Sequence, residues 1–217
     1  MCGAYGFSVK DAKEVYKRFD ISNSLDDFTP RYNIRPGQMN LVITQNKKNY
    51  IQRMFWGLIP FFAKDNSYRY KTINARAETV TELPTYRKPF RKQRCLVPAT
   101  GFFEWDKTQK PSVPHYFYLK DGPIFAFAGL YDSWIDPKTK QEIHSYTIIT
   151  IKANQVVGKV HDRMPVILKR DDENKWLDPT QTAQQLLTLL TPYPNVEMQE
   201  YIVDRAVNSP RNDNPGV

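Results

Sequence analysis

Cysteine and histidine are scarce in this chain, and their scarcity excludes several kinds of protein. The 217 residues contain two cysteines, Cys2 and Cys95, and three histidines. Two cysteines are too few for the disulfide framework of a small secreted domain, so the sequence predicts a reducing compartment. No two of these five residues have the spacing of paired metal ligands. The sequence therefore predicts no metal site, and it predicts no cofactor.

Long apolar runs are also absent. No stretch approaches the roughly 18 residues that would cross a bilayer. Lys10, Lys13 and Lys17 interrupt the first twenty residues, where a secretory signal would place its apolar segment. The sequence therefore predicts a soluble cytoplasmic protein. With 41% hydrophobic residues and no linker-like segment, it predicts one domain, residues 1–217.

Acidic residues are outnumbered, 23 against 31 basic ones, which gives a net charge of +8. Much of the excess lies between Lys64 and Arg94, where nine basic residues accompany three acidic ones. Cations interleaved with flat rings are typical of a groove for single-stranded nucleic acid. An ordinary solvated surface explains the charges equally well at this point. The aromatic residues in and beside this window are Trp56, Phe61, Phe62, Tyr68, Tyr70, Tyr86 and Phe90.

Strand-like segments outnumber helical ones. An amphipathic helix is predicted at SVKDAKEVYKRFDI, with Ser8 as its cap, and two more at DDENKWL and TAQQLLTLL. Many strands with few helices, not in strict alternation, predict an α+β fold with a mainly antiparallel, barrel-like sheet. The predicted strands are NLVITQ, YIQRMFW, RCLVPA, HYFYLK, IFAFAGLY and HSYTIITIK.

Cys2 directly follows the initiator methionine. Aminopeptidases generally remove that methionine when the next residue is small, which would leave Cys2 with a free α-amino group as well as a thiol. The α-amino pKa lies near 8, so a neutral amine is available as a base or a nucleophile. With an aldehyde, such a 1,2-aminothiol forms an imine and then a thiazolidine ring. Alternatively, Cys2 is a small buried hydrophobic residue.

The stretch TINARAE places Asn74 and Arg76 two residues apart, on the same side of a strand. The amide can orient a reacting group, and the guanidinium can bind a phosphate through two hydrogen bonds. A capped turn before a short helix is the alternative.

Two further stretches offer proton-transfer groups. In RCLVPATGFFEW, Glu104 stands between Phe103 and Trp105, where partial desolvation would raise its pKa and suit an acid or base. In VHDRMP, His161 has the side chain whose pKa lies nearest neutrality. An exposed strand carboxylate and a structural histidine are the alternatives.

Taken together and in order, seven motifs resemble the SOS-response-associated peptidase (SRAP) family, also called abasic-site processing proteins. They are MCG, RYNIRPGQ, WGLIP, INARAE, RCLVPATGFFEW, VHDRMP and VNSPRNDNP. The resemblance implies a single α+β domain around a strongly curved, barrel-like sheet. It also implies a protein that traps abasic sites in single-stranded DNA as a thiazolidine crosslink, associates with the nucleoid when bound, and has self-cleaving peptidase and lyase-like activity.

The resemblance assigns the nucleophile to Cys2 and proton transfer to Glu104. Asn74 and His161 would hold and polarise the reacting centre, and Arg76 would grip the DNA. The residues predicted to contact DNA are Trp56, Arg69, Lys71, Arg76, Arg87, Lys88, Phe90, Arg91, Trp105 and Arg163.

The chain departs from the family pattern at two positions. Ala4 stands where members commonly have arginine, and Phe62 replaces the second tryptophan of the WGLIP region. We expect these changes to affect DNA affinity and not chemistry, with Tyr68, Arg69 or Lys71 as compensating contacts.

Two other functions remain open from the residues. An N-terminal-nucleophile amidohydrolase would use the same amine and thiol on a small amide. A non-enzymatic single-stranded-DNA binding module would use the basic groove alone.

Overall fold

The computed structural model describes residues 2–217, and strands outnumber helices in it. Within that range no helix has the length and apolarity that crossing a membrane requires. The helices are α1 (Ala12–Phe19), α2 (Pro84–Lys92), α3 (Arg170–Leu177) and α4 (Ala183–Thr188). The strands are β1 (Tyr5–Phe7), β2 (Arg31–Ile34), β3 (Met39–Asn46), β4 (Lys48–Trp56), β5 (Asn74–Arg76), β6 (Arg94–Ala99), β7 (Gly101–Asp106), β8 (Val113–Leu119), β9 (Phe125–Ile135), β10 (Glu142–Lys152), β11 (Arg163–Pro165) and β12 (Met198–Ile202).

Five strands close into a small barrel in the order β10-β4-β3-β6-β9, because β9 also pairs with β10. The barrel is mixed. Within it, β4 and β10 are parallel, and the other four pairs of neighbouring strands are antiparallel. The short strands β5 and β11 extend the sheet from β10. A second, antiparallel sheet has the order β12-β8-β7-β1-β2. The predicted α+β fold with a curved, mainly antiparallel, barrel-like sheet is confirmed.

A cluster of aromatic side chains packs β1 against the barrel. The Tyr5 ring packs edge-on against Trp56, with 5.1 Å between centroids, and its hydroxyl lies 2.8 Å from that of Tyr146. Trp56 has no exposed surface, and its Nε1 donates to the carbonyl of Ile73 at 2.8 Å. The prediction that Trp56 contacts DNA is therefore wrong. Its ring instead fixes both the N-terminal strand and the residue before Asn74.

The helices begin and end differently from the prediction. Helix α1 starts at Ala12 with Asp11 as its cap, and the Ser8 hydroxyl lies 3.2 Å from that of Thr100. Helix α2 was not predicted, because Pro84 and Pro89 suggest a break. Pro84 occupies the first turn, where a missing N–H costs nothing.

Gly101 lets β7 lie against the ring of Tyr116. A Cβ there would stand 2.2 Å from Tyr116 Cζ and 2.6 Å from the Phe117 carbonyl oxygen. We expect Gly101→Ala to lower the free energy of unfolding by about 1–3 kcal/mol, measured by urea denaturation. Gly158→Ala is the matched control, since a Cβ there meets no atom of the described residues within 4 Å. Equal stability of Gly101→Ala and wild type would contradict this account.

Candidate active site

Cys2 is fully buried beside the strand that carries Glu104. β1 pairs with β7 through Tyr5 and Phe102, and the Phe103 N–H donates to the Ala4 carbonyl at 2.9 Å. The Cys2 Sγ faces the same Ala4 carbonyl at 3.7 Å. Burial raises the pKa of the Cys2 thiol far above its usual value, and the Glu104 carboxylate raises it further. Met1, whose removal the sequence predicts, lies outside the described residues.

Asn74 is hydrogen-bonded to Cys2. Its Nδ2 donates to the Cys2 carbonyl at 2.8 Å, while β5 holds its backbone against β10 at Ile148. The side chain is buried, and its Oδ1 has no hydrogen-bond partner within residues 2–217. A buried amide oxygen left in this state is an acceptor ready for a ligand.

Glu104 is buried on β7, with 3% of its surface exposed, so the alternative of an exposed strand carboxylate is excluded. Desolvation raises the pKa of the Glu104 carboxyl to about 7, and the charge of Asp162 adds to the effect, while Lys107 opposes it. A carboxyl that titrates near neutrality can both give and take a proton at physiological pH.

His161 follows a short 3-10 turn and is half-buried. Its Nδ1 accepts the backbone N–H of Arg163 at 3.0 Å. Burial lowers the pKa of His161 below its usual value, so the imidazole is mostly neutral at pH 7. Its neighbour Asp162 acts electrostatically on Glu104, which places this turn at the edge of the same site.

Arg163 is engaged within the protein. Its guanidinium donates to both carboxylate oxygens of Glu78 at 2.9 Å and to the Thr150 carbonyl at 2.6 Å. β5 and β11 both pair with β10 around Thr150, so this bidentate bridge ties the VHDRMP turn to the end of INARAE. The predicted DNA contact of Arg163 stays a prediction, but most of its donors are already used.

The predicted cationic surface is exposed. Arg87, Lys88 and Arg91 project from one face of α2, and Lys88 Nζ lies 4.0 Å from the centroid of the Phe61 ring. Phe90 is fully buried and packs edge-on against Trp176 at 5.8 Å, so its predicted DNA contact is wrong.

The other predicted DNA contacts retain accessible surface. Arg76 and Lys71 are exposed, and Arg69 is half-buried with its guanidinium 4.8 Å from the Tyr70 ring centroid. Trp105 is half-buried, and its Nε1 donates to Asn208 Oδ1 at 2.7 Å. These four are placed where DNA could reach them.

The two departures from the family pattern have different surroundings. Ala4 is fully buried in a cluster with Phe103 and Val207. Phe62 is 43% exposed and lies edge-on to Phe61 and Tyr68. An accessible aromatic ring therefore remains at the second position.

Sequence reasoning missed one residue of the site. Arg35, in the RYNIRPGQ stretch, lowers the pKa of the Cys2 thiol by its positive charge. The RYNIRPGQ stretch contributes to the family resemblance, but the link between Arg35 and Cys2 arises only from the pairing of β1 with β2.

A family model described as SOS response associated peptidase (SRAP) matches residues 1–210. The abasic site processing protein YoqW of Bacillus subtilis (strain 168) is 42% identical over 221 residues, covering 99% of this chain and 97% of the relative. The abasic site processing protein HMCES of Xenopus tropicalis is 32% identical, covering 88% of this chain and 66% of the relative. The crystal structure of a protein from Bacteroides thetaiotaomicron superposes with a TM-score of 0.89 at 32% identity, covering 98% and 97% of the two chains.

Proposed function

Because the chain belongs to the SOS response associated peptidase (SRAP) family, we propose that it processes abasic sites in DNA by forming a covalent crosslink through Cys2. Its relatives are named abasic site processing proteins, which supports the target. The observation that carries the proposal is the bond from Asn74 to the Cys2 carbonyl, beside a buried carboxyl that titrates near neutrality. A binding module needs neither feature.

The chemistry follows from the amine and thiol on one residue. After Met1 is removed, the α-amine of Cys2 attacks the aldehyde carbon of the ring-opened abasic sugar, and a carbon–nitrogen bond forms. Loss of water gives an imine. The Cys2 sulfur then adds to the imine carbon, and the thiol proton ends on the nitrogen, which closes a thiazolidine. The overall change is protein plus DNA minus one water.

Glu104 supplies and accepts the protons that these steps move. Sugar opening, loss of water and ring closure each need one proton given and one taken. A carboxyl with a pKa of about 7 exists in both forms at physiological pH. His161 and the Asn74 amide oxygen would hold and polarise the sugar, as the family resemblance implies.

Single-stranded DNA is the proposed form of the substrate. The exposed cations of α2, together with Arg76 and Lys71, would neutralise phosphates, and the rings of Phe61 and Phe62 would stack with bases. The finer activities implied by the resemblance, self-cleavage next to Cys2 and lyase-like reaction at the sugar, belong to this proposal as well. An aminopeptidase that removes Met1 could equally expose Cys2.

The test is an adduct assay with the mature protein. A single-stranded oligonucleotide with one abasic site is incubated with protein from which Met1 has been removed, as checked by intact mass. We expect a heat-stable species whose mass equals protein plus DNA minus water. Amide hydrolysis independent of DNA would instead favour an amidohydrolase, and reversible binding alone would favour a DNA-binding module.

Asn74 provides a prediction at the same site. Asn74→Ala removes the bond to the Cys2 carbonyl and the free amide oxygen, so we expect crosslinking to slow by about tenfold to a hundredfold. Single-turnover adduct formation at saturating protein measures this. Asn46→Ala, at an exposed position at the end of β3, is the control. An unchanged rate in Asn74→Ala would remove Asn74 from the reaction.

A further inference from the structure

Arg35 is a half-buried cation held by uncharged groups. It follows β2 directly, and its Nε donates to Asn33 Oδ1 at 2.8 Å. Its Nη2 donates to the Val207 carbonyl, and its Cζ lies 5.1 Å from the Trp105 ring centroid. Within residues 2–217 it forms no ion pair with a carboxylate. A cation removed from water without a counter-charge favours the arrival of an anion.

The pairing of β1 with β2 places Arg35 beside the nucleophile. Tyr5 pairs with Ile34, so the next residue along β2 lies alongside the segment that leads back to Cys2. Arg35 and Cys2 also interact electrostatically: the guanidinium lowers the pKa of the thiol, although burial keeps that pKa high overall. The cation is therefore next to the reacting residue and not on a distant surface.

The guanidinium has donors to spare. Arginine carries five N–H groups in a planar fork. The one on Nε and one on Nη2 are used, whereas Nη1 makes no hydrogen bond to any described residue. Such a fork matches an oxyanion that can accept two hydrogen bonds, above all a phosphate.

The C-terminal segment fixes the direction of this fork. Asn33 Nδ2 donates to the carbonyls of Val207, Ser209 and Asn212 at 2.9–3.1 Å. The neighbouring Asn208 accepts from Trp105, the ring under Arg35. Arg35 is thus held on two sides, and little side-chain entropy is lost when an anion binds.

Two anions could meet this cation, a thiolate of Cys2 or a phosphodiester of the bound DNA. Burial keeps Cys2 in its thiol form, which leaves the phosphodiester. We propose that Arg35 binds the phosphate that adjoins the reacting sugar and so holds that sugar over Cys2. The inference rests on the proposed function, because it takes abasic DNA as the ligand.

The test pairs a protein change with a DNA change. Arg35→Ala and wild type are compared on single strands carrying a tetrahydrofuran abasic analogue, which has no aldehyde, so that binding is measured without crosslinking. Each phosphate flanking the analogue is replaced in turn by an uncharged methylphosphonate. On unmodified DNA we expect Arg35→Ala to bind about tenfold more weakly and to lose about one unit of salt-dependence slope.

The expected signature is non-additivity at one position. At one flanking linkage, the methylphosphonate should lower the DNA affinity of wild type by about the same tenfold. It should leave the DNA affinity of Arg35→Ala unchanged. Arg35→Lys, which keeps the charge and loses the fork, should fall between the two. Arg53→Ala is the matched control, because Arg53 is paired with Asp27 at 3.1 Å; it should behave as wild type.

Three results would overturn the inference. One is an equal loss of DNA affinity in wild type and Arg35→Ala at every modified linkage. Another is unchanged DNA affinity in an Arg35→Ala protein that denatures at the wild-type temperature. The third is a slower reaction of Arg35→Ala with formaldehyde, a phosphate-free aldehyde, at unchanged DNA affinity, which would show that Arg35 acts on the thiol. Failure of wild type to crosslink aldehyde-bearing DNA would contradict the proposed function alone. Binding of the tetrahydrofuran analogue would still test the role of Arg35.

Discussion

Replacement of Cys2 by alanine is expected to abolish the heat-stable adduct with abasic DNA, a loss of at least about a hundredfold in yield or rate. The α-amine survives in this variant, so an imine can still form. Without the sulfur, that imine has no route to a thiazolidine and hydrolyses on heating. Denaturing gels of heated reactions measure the loss, and sodium borohydride, which reduces imines, should recover an adduct from the variant.

Two variants sharpen this experiment. Cys2→Ser keeps the shape and the amine but offers a hydroxyl, a weaker nucleophile than sulfur, so we expect no durable ring. Cys95→Ala removes the other buried thiol, from β6, and should retain the adduct in the fraction that folds. A heat-stable adduct from Cys2→Ala would show that another residue is the nucleophile.

Replacement of Glu104 by glutamine is expected to slow crosslinking by roughly a hundredfold or more, because the amide cannot exchange protons. The wild-type rate should change around pH 7, where the Glu104 carboxyl titrates, and the variant should lose that inflection. Single-turnover rates between pH 5 and 9 measure both effects. Glu82→Gln, at an exposed position, is the control and should keep the wild-type profile. A wild-type profile in Glu104→Gln would remove Glu104 from proton transfer.

The same substitution has a stability signature. The pKa of Glu104 is about 7 in the folded protein, above the value of about 4.3 expected in the unfolded chain. The folded state favours the protonated carboxyl. The stability that this protonated group contributes is therefore fully present below pH 4 and is lost as the pH rises through 7. We therefore expect the free energy of unfolding of Glu104→Gln, relative to that of wild type, to rise by up to roughly 3 kcal/mol between pH 4 and 8. Urea denaturation across that range tests the sign.

The strands could be predicted from the sequence because their β-branched and aromatic residues are bounded by turn residues, as in HSYTIITIK of β10. The sequence predicted a barrel-like sheet, but it did not show which strands close the barrel, because closure depends on β9 and β4 pairing with opposite edges of β10. Neither contact leaves a local signal in the chain.

The errors at Trp56 and Phe90 have one cause. Aromatic and basic residues mixed along a chain indicate a nucleic-acid surface, but they do not show which rings face solvent. For Phe90 the periodicity of helix α2 gives the answer, because Tyr86 and Phe90 are four residues apart and buried, while Arg87 and Arg91 are exposed. The prolines concealed that helix and therefore the spacing.

The residues of the candidate site were easier to predict from the sequence than their geometry. Cys2, Asn74, Glu104 and His161 were predicted from residue type and motif. Partial desolvation of Glu104 was predicted from its aromatic neighbours, and a buried Cys2 was the alternative to a reactive one. That both are almost completely buried depends on how β1 and β7 lie against the barrel. Arg35 was missed for a similar reason, since its relation to Cys2 exists only through strand register.

The burial of Cys2 has a consequence for the order of events during protein synthesis. β1 lies between β7 and β2, so it cannot take its place before the ribosome has made more than a hundred residues. Until then, the first residues of the nascent chain are accessible to an aminopeptidase. Once β1 has paired, Cys2 has no exposed surface. If an aminopeptidase exposes Cys2, which is one of the two routes in the proposed function, we therefore expect it to act during translation, before β1 pairs with β2 and β7.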